Sequence, residues 1–257
     1  MVHNLKDNVF VYRGPEEVSG ALAKFLVETI NESISTEGIC TVALSGGSTP
    51  KTLFRVLAGK YRGSVDWSSV GFFWVDERCV PPDDPESNYG MTMENLLGRI
   101  VIHPSCIHRI IGENDPDREA VRYSGEIRKF VRSRDGLPCF DIILLGVGED
   151  GHTASIFPGS EELFLDKRIC VSATHPVTGQ RRITITGKVI NNGSCVVILA
   201  AGRGKSAIIG EVLGAKKAGT GYPVGRVSPE KGILLWYLDS EAASGIDRAA
   251  DDLSPVV

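Results

Sequence analysis

Short apolar runs of strand length alternate with stretches of helical period along almost the whole chain, and this alternation limits the fold more than any other feature. Ile39 to Leu44, Val70 to Val75, Phe140 to Leu145, Ile183 to Thr186, Cys195 to Ala200 and Gly232 to Leu238 read as strands. Between them, Val18, Ala21, Leu22, Phe25 and Leu26 recur at the spacing of one helix face, begun by Pro15-Glu16-Glu17. The same period returns in Lys51 to Ala58, from about Asp117 to Arg134 (Ala120, Val121, Ile127, Val131), and in Lys205 to Leu213. The run from Phe140 to Leu145 is of the kind buried on both sheet faces. Strands separated by helices imply parallel pairing, so the expected fold is α/β, a single-domain doubly wound, mostly parallel sheet flanked by helices. No internal repeat, low-complexity linker or composition break divides the 257 residues. One domain over 1–257 is expected, with its core from about 10 to 243 and the last dozen residues polar and frayed.

In sheets of this kind ligands bind at the carboxyl ends of strands, so the loops that follow strands carry the functional weight. Ser45-Gly46-Gly47-Ser48-Thr49-Pro50 follows the first such strand. Its glycines admit a close backbone approach, the next helix offers free N–H groups, and Pro50 suits the first helical position. It lacks the Gly-Lys-Ser/Thr ending of a Walker loop. A tight strand-to-helix turn with a hydroxyl cap explains the same residues equally well. Asp76-Glu77-Arg78 follows the next strand, where Arg78 is suited to fork onto phosphate or carboxylate. A solvated turn with internal ion pairs is the plainer reading of that cluster. The stretch from Asp76 to Tyr89, with three prolines, is expected to be an irregular loop with Asn88 capping a helix.

Gly146-Val147-Gly148-Glu149-Asp150-Gly151-His152-Thr153 contains a literal G-x-G-x-x-G after a strand. A dinucleotide site is rejected because Pro158-Gly159 arrives too soon for the helix that receives a pyrophosphate. Asp150-Gly151-His152 suits general-base work instead, with a carboxylate beside the imidazole. Arg181-Arg182 opens a strand and Lys205 follows Gly202-Arg203-Gly204, two basic sites that would complete a phosphate pocket if they are not ordinary surface charge. Adjacent strand residues point to opposite faces, so only one of Arg181 and Arg182 can face inward. No Gly-x-Ser-x-Gly elbow occurs. His103, Cys106 and His108 lack a second ligand pair and read as incidental rather than as a zinc site.

Twenty-eight basic against 32 acidic residues give a formal charge of −4, which offers no field for nucleic acid or anionic lipid. The opening residues show no signal or transit character, and no apolar stretch approaches a bilayer span. The six cysteines are dispersed without a Cys-x-x-Cys pair and read as reduced, mostly buried thiols, which makes the cytoplasm the expected compartment.

Taken in order, these loops resemble the 6-phosphogluconolactonase family. The matching segments are Leu44 to Pro50, Trp74 to Arg78 with Asp83 to Tyr89, and Leu145 to Pro158, joined by Arg182 to Thr186 and Leu235 to Asp239. The resemblance implies a Rossmann-like fold, no metal or organic cofactor, and opening of 6-phospho-glucono-1,5-lactone to 6-phosphogluconate in the pentose phosphate pathway. On that pattern His152 is the general base and Asp150 supports its imidazole. Gly46, Gly47, Ser48, Thr49 and Asp76 bind substrate, and Arg78, Arg182 and Lys205 neutralise its phosphate. The choice of Arg182 over Arg181 follows the resemblance. The partner is then a small phosphorylated sugar lactone, neither nucleic acid nor membrane, and the chain is expected to be a monomer. Glucosamine-6-phosphate deaminases are similar but typically carry Tyr where Arg78 stands and a further acid after the histidine loop. Phe157-Pro158-Gly159 fills that stretch here, which favours the hydrolase. A sugar-phosphate binder without chemistry is the other alternative, and His152 argues against it.

Overall fold

The computed structural model describes residues 3–6, 8–214 and 221–246, without the side chains of 3–6. The expected polar tail, apart from Ile246, lies outside the described residues. A seven-stranded sheet forms the centre. In chain order its strands are β1 (His3–Lys6), β2 (Val9–Tyr12), β3 (Cys40–Leu44), β4 (Val70–Trp74), β8 (Ile142–Leu145), β11 (Cys195–Ala200) and β12 (Ile233–Asp239). Their spatial order is β1-β2-β12-β11-β8-β3-β4. The six from β2 to β4 are parallel, and only β1 runs antiparallel, against β2. The residues of β3, β4, β8 and β11 are all buried, as strands covered on both faces must be.

Among the described residues six α-helices complete the fold: α1 (Pro15–Glu37), α2 (Ser48–Lys60), α3 (Asn88–Asn95), α4 (Pro116–Phe130), the single turn α5 (Gly187–Ile190) and α6 (Ser206–Leu213). Register shows which face each large helix covers. Phe72, Val42 and Ile142 share one face, which continues through Leu144, Val197, Leu199 and Tyr237, and there Phe25 of α1 packs its ring 6.0 Å from that of Tyr237. Phe73 points the other way, 6.5 Å from Tyr123 of α4. The fully buried Tyr123 hydroxyl accepts from the Trp74 N–H at 2.8 Å and donates to the Trp74 carbonyl, which fixes α4 against β4.

Several expectations need correction. Ile183 to Thr186 does form a strand, β10 (Arg181–Ile185), but not in the parallel sheet. It is the middle of a small antiparallel sheet, between β5 (Asp76–Arg78) and β9 (Cys170–Thr174). The supposed loop from Asp76 to Tyr89 therefore begins as a strand and ends as a helix. Ser87, not Asn88, is the cap of α3, its hydroxyl accepting from the Gly90 N–H at 3.0 Å. Helix α4 stops at Phe130 rather than Arg134, because Asp135 and Gly136, both at positive φ, turn a two-residue hairpin between β6 (Ser133–Arg134) and β7 (Leu137–Pro138). Val121, counted among that helix's apolar positions, is 75% exposed. Strands β1, β2 and β9 were not anticipated.

Candidate active site

The chain leaves β3 for β4 on one side, while β8 pairs with β3 on the other, so the sheet's switch point lies at the carboxyl ends of β3 and β8. Loops after β3, β4, β8 and β11 converge there on a cleft of about 190 Å³. Gly46, Gly47, Ser48, Thr49, Asp76, Arg78, His152, Arg182 and Lys205 all line it. Asp150, the remaining residue expected at the site, is bonded to His152 from behind.

The floor of the cleft is the start of α2. Gly47 has φ +103° and ψ −179°, a conformation essentially reserved for glycine, and it sends the chain straight from strand into helix. The helix begins at Ser48, two residues earlier than the sequence implied, so Pro50 sits third. Its missing N–H is still one of those a helix leaves unbonded. No side chain caps this end and no acid occupies the first turn, which leaves the opening N–H groups available to an anion. Gly46 is forced for a different reason, because an added Cβ would stand 1.7 Å from Asn88 Oδ1.

The loop after β8 folds tightly on itself. Gly148 N–H donates to the His152 carbonyl at 2.8 Å, and Gly151 N–H to the Gly148 carbonyl at 3.0 Å. This closure lays both reactive side chains over the bare Cα of Gly148. His152 Nδ1 lies 2.6 Å from Asp150 Oδ1, which also accepts from the His152 N–H at 3.1 Å. Burial pushes the Asp150 carboxyl up, but the charge and hydrogen bonds of His152 outweigh it and hold the group below the usual carboxylate range. The ring of Phe157 packs 5.0 Å from that of His152.

The opposite wall is basic. Arg78 and Arg182 stand directly opposite each other across the antiparallel β5–β10 pair. Like charges in that arrangement repel. Arg182 is only 9% exposed, and the Nε groups of both arginines are buried without a partner among the described residues. Burial, and then the Arg78 charge, draws the Arg182 guanidinium below its ordinary range, despite Asp76 3.9 Å away. Asp76 is itself 4% exposed and fixed by Ser155 Oγ at 2.6 Å and by Asn88 Nδ2, which donates to the Asp76 carbonyl at 3.0 Å. Arg181 faces outward beside Asp117 at 3.7 Å, so strand alternation puts Arg182 in the cleft. Lys205 ends the 3-10 turn Arg203–Lys205 after β11 and has no ion pair among the described residues.

Glu77 holds this wall to α3. Its buried carboxylate accepts from the N–H groups of Arg78, Asn88 and Tyr89 at 2.7, 2.8 and 2.8 Å, and from Ser87 Oγ. Burial raises the carboxyl, and those backbone bonds oppose the rise.

Four contributors were not named from the sequence: Asn88 as a lining residue, Gly148 under the imidazole, Ser155 on Asp76 and Phe157 on His152. All four lay inside segments already singled out, but nothing in the sequence showed that Ser155 reaches Asp76 or that Phe157 packs on His152. The residues His103, Cys106 and His108 do not converge. His103 caps the 3-10 turn Pro104–Cys106 with Nδ1, and His108 stacks on Phe73 at 4.4 Å and bonds Glu126 at 2.8 Å.

A family model described as glucosamine-6-phosphate isomerases/6-phosphogluconolactonase matches residues 13–236. The 6-phosphogluconolactonase of Treponema pallidum is 46% identical over 196 residues, covering 76% of this chain and 81% of that protein. The crystal structure of a devB protein superposes with a TM-score of 0.87 at 38% identity, covering 93% of this chain and 99% of the other. That of 6-phosphogluconolactonase from Trypanosoma brucei gives 0.81 at 30% identity, covering 95% and 100%. A parallel sheet with its cleft at the β3–β8 switch, and a family match running from α1 into β12, lead to one assignment: this chain belongs to the glucosamine-6-phosphate isomerase/6-phosphogluconolactonase family.

Proposed function

We propose that this chain is a 6-phosphogluconolactonase, hydrolysing 6-phospho-D-glucono-1,5-lactone to 6-phospho-D-gluconate in the oxidative pentose phosphate pathway, with His152 as general base. The observation that carries this reading is the facing of two pairs across one cleft: Arg78 beside Arg182 on one wall, His152 bonded to Asp150 on the other. A buried guanidinium and a half-buried one held side by side call for an anion between them, and a phosphate takes both in charge-assisted bonds. Lys205 adds a third cation.

Asp150 accepts the Nδ1 proton, so the lone pair of His152 is left on Nε2. That nitrogen takes a proton from water as the water oxygen bonds to the lactone carbonyl carbon. The carbonyl becomes an alkoxide, for which the N–H groups around Gly47, Ser48 and Thr49 are suited donors. When the alkoxide collapses, the bond from the carbonyl carbon to the ring oxygen breaks and the imidazolium returns its proton to that oxygen. Asp76 places Arg182. Base, water and donors complete the chemistry without a metal or organic cofactor. Asp150 stays ionised down through the ordinary carboxylate range, so its bond to the imidazole persists there.

No helix among the described residues is long and apolar enough to cross a membrane. The finer reading is a single-domain monomer acting in the cytoplasm on a small phosphorylated lactone and not on nucleic acid. It is supported by the modest net charge and by six free cysteines, four of them buried. The test is proton release on adding freshly made lactone, corrected for spontaneous hydrolysis. The native chain should accelerate it, and His152→Ala should lower kcat by about 10²–10⁴-fold while 6-phosphogluconate still binds. A folded His152→Ala variant with near-native kcat would remove the base from His152.

A further inference from the structure

The mechanism leaves one histidine near the cleft unused. His175 begins the turn between β9 and β10, and its ring lies edge-on to Phe157 at 4.9 Å. Phe157 also packs on His152 at 5.0 Å and lies under the Arg182 guanidinium at 5.7 Å, so His175 is one aromatic ring removed from both walls of the cleft. The turn is tied to the same place from its other end. Gln180 Nε2 donates to the Glu86 carboxylate at 2.8 Å, and the carbonyl of Glu86 accepts from Arg78 Nη1.

The tautomer of His175 is set by its own turn. Nδ1 accepts the N–H groups of Val177 and Thr178, each at 3.2 Å, so the ring proton sits on Nε2. Burial, then the charges of Arg182 and His152, hold the imidazole below the usual histidine range, which keeps it a neutral donor rather than another cation. The charged and titratable groups it faces are Arg182, His152, Asp150 and Arg78. A neutral N–H donor can sit beside two arginines without adding to their repulsion, and a phosphate has more acceptor sites than those arginines fill.

We propose that His175 is a further substrate-contacting residue, its Nε2–H donating to the phosphate at the Arg78–Arg182 end of the cleft. The proposal rests on the phosphate-binding reading given above. It makes the β9–β10 turn a specificity element that selects phosphorylated over unphosphorylated lactone.

His175→Asn separates this role from a structural one. The asparagine Oδ1 can replace Nδ1 as the acceptor of the turn's two N–H groups, while the donor at Nε2 is lost. In the full-length chain the variant should bind 6-phosphogluconate about tenfold more weakly by calorimetry and raise KM for the phosphorylated lactone by a similar factor. Its kcat should stay within about twofold of native, and its kcat/KM on glucono-1,5-lactone should not change. Unchanged 6-phosphogluconate affinity would overturn the proposal, as would equal losses on the two lactones. Should the native chain fail to hydrolyse the phosphorylated lactone, the activity proposed above falls, while the calorimetric comparison still decides the role of His175.

Discussion

An alanine at position 148 would place its Cβ 2.1 Å from His152 Nδ1 and 2.3 Å from Asp150 Oδ1, closer than atoms can approach. Gly148→Ala is therefore expected to displace the imidazole rather than unfold the loop, which is closed by backbone bonds on either side. A misplaced base of this kind costs about 10²-fold in kcat. Steady-state kinetics beside a thermal melt checks this, with the melt unchanged, and native kcat in the variant would show that the pair tolerates the shift. Single residues were unevenly legible. His152, Gly46 and Arg78 stood out because each lies in the segment that follows an apolar strand of the parallel sheet, where the local pattern itself marks the ligand end. Ser155 and Phe157 did not, because what they touch, Asp76 and the ring of His152, is set by a turn whose path the sequence does not announce. Alternation along one strand lets only one of Arg181 and Arg182 face inward, the resemblance pointed to Arg182, and that is the residue that lines the cleft.

Among the elements, the parallel strands were readable because burial on both faces leaves an uninterrupted apolar run. The antiparallel sheet of β5, β10 and β9 was not. Asp76–Arg78 is short and charged, and its partner lies about a hundred residues further on in β10. Local pattern has no access to such a pairing. What makes so polar a segment a strand is Glu77, whose carboxylate gathers three backbone N–H groups from β5 and the start of α3. Glu77→Leu would leave those donors without their acceptor. At about 1–3 kcal/mol for each buried group left unpaired, a loss of at least about 3 kcal/mol is expected. Thermal unfolding should show a midpoint lower by about 10 °C. The variant should also bind 6-phosphogluconate weakly, since Arg78 and Asn88 flank the same carboxylate. A native midpoint would mean that water or a shifted loop replaces Glu77 at little cost. The hairpin at Asp135-Gly136 was the opposite case, since that dipeptide is a strong hairpin signal and the helical period was carried right up to it, over residues that form β6.

For the molecule as a whole, the family contains two chemistries on one fold, and the cleft favours one of them. Opening an amino sugar and moving a proton between its carbons needs several placed acids and bases, whereas lactone hydrolysis needs one base and an oxyanion site. Against His152 packs the apolar ring of Phe157, which can neither give nor take a proton. No ammonia release from glucosamine 6-phosphate is expected at any enzyme concentration, and lactone hydrolysis should survive EDTA. Coupled ammonia detection checks the first and the proton-release assay the second, and stoichiometric ammonia would reverse the choice. The order of the central sheet bears on how the chain can be made. β12, the last strand among the described residues, lies between β2, nearly the first, and β11. A ribosome delivers β2 and α1 about two hundred residues before the strand that joins them to β11. Until then α1 alone links β2 to β3, and the apolar edges of β2 and β11 face a gap. Such late closure slows folding and leaves edges open to wrong partners. Refolding from denaturant is thus expected to be limited by the seating of β12, the step that makes one sheet of two parts.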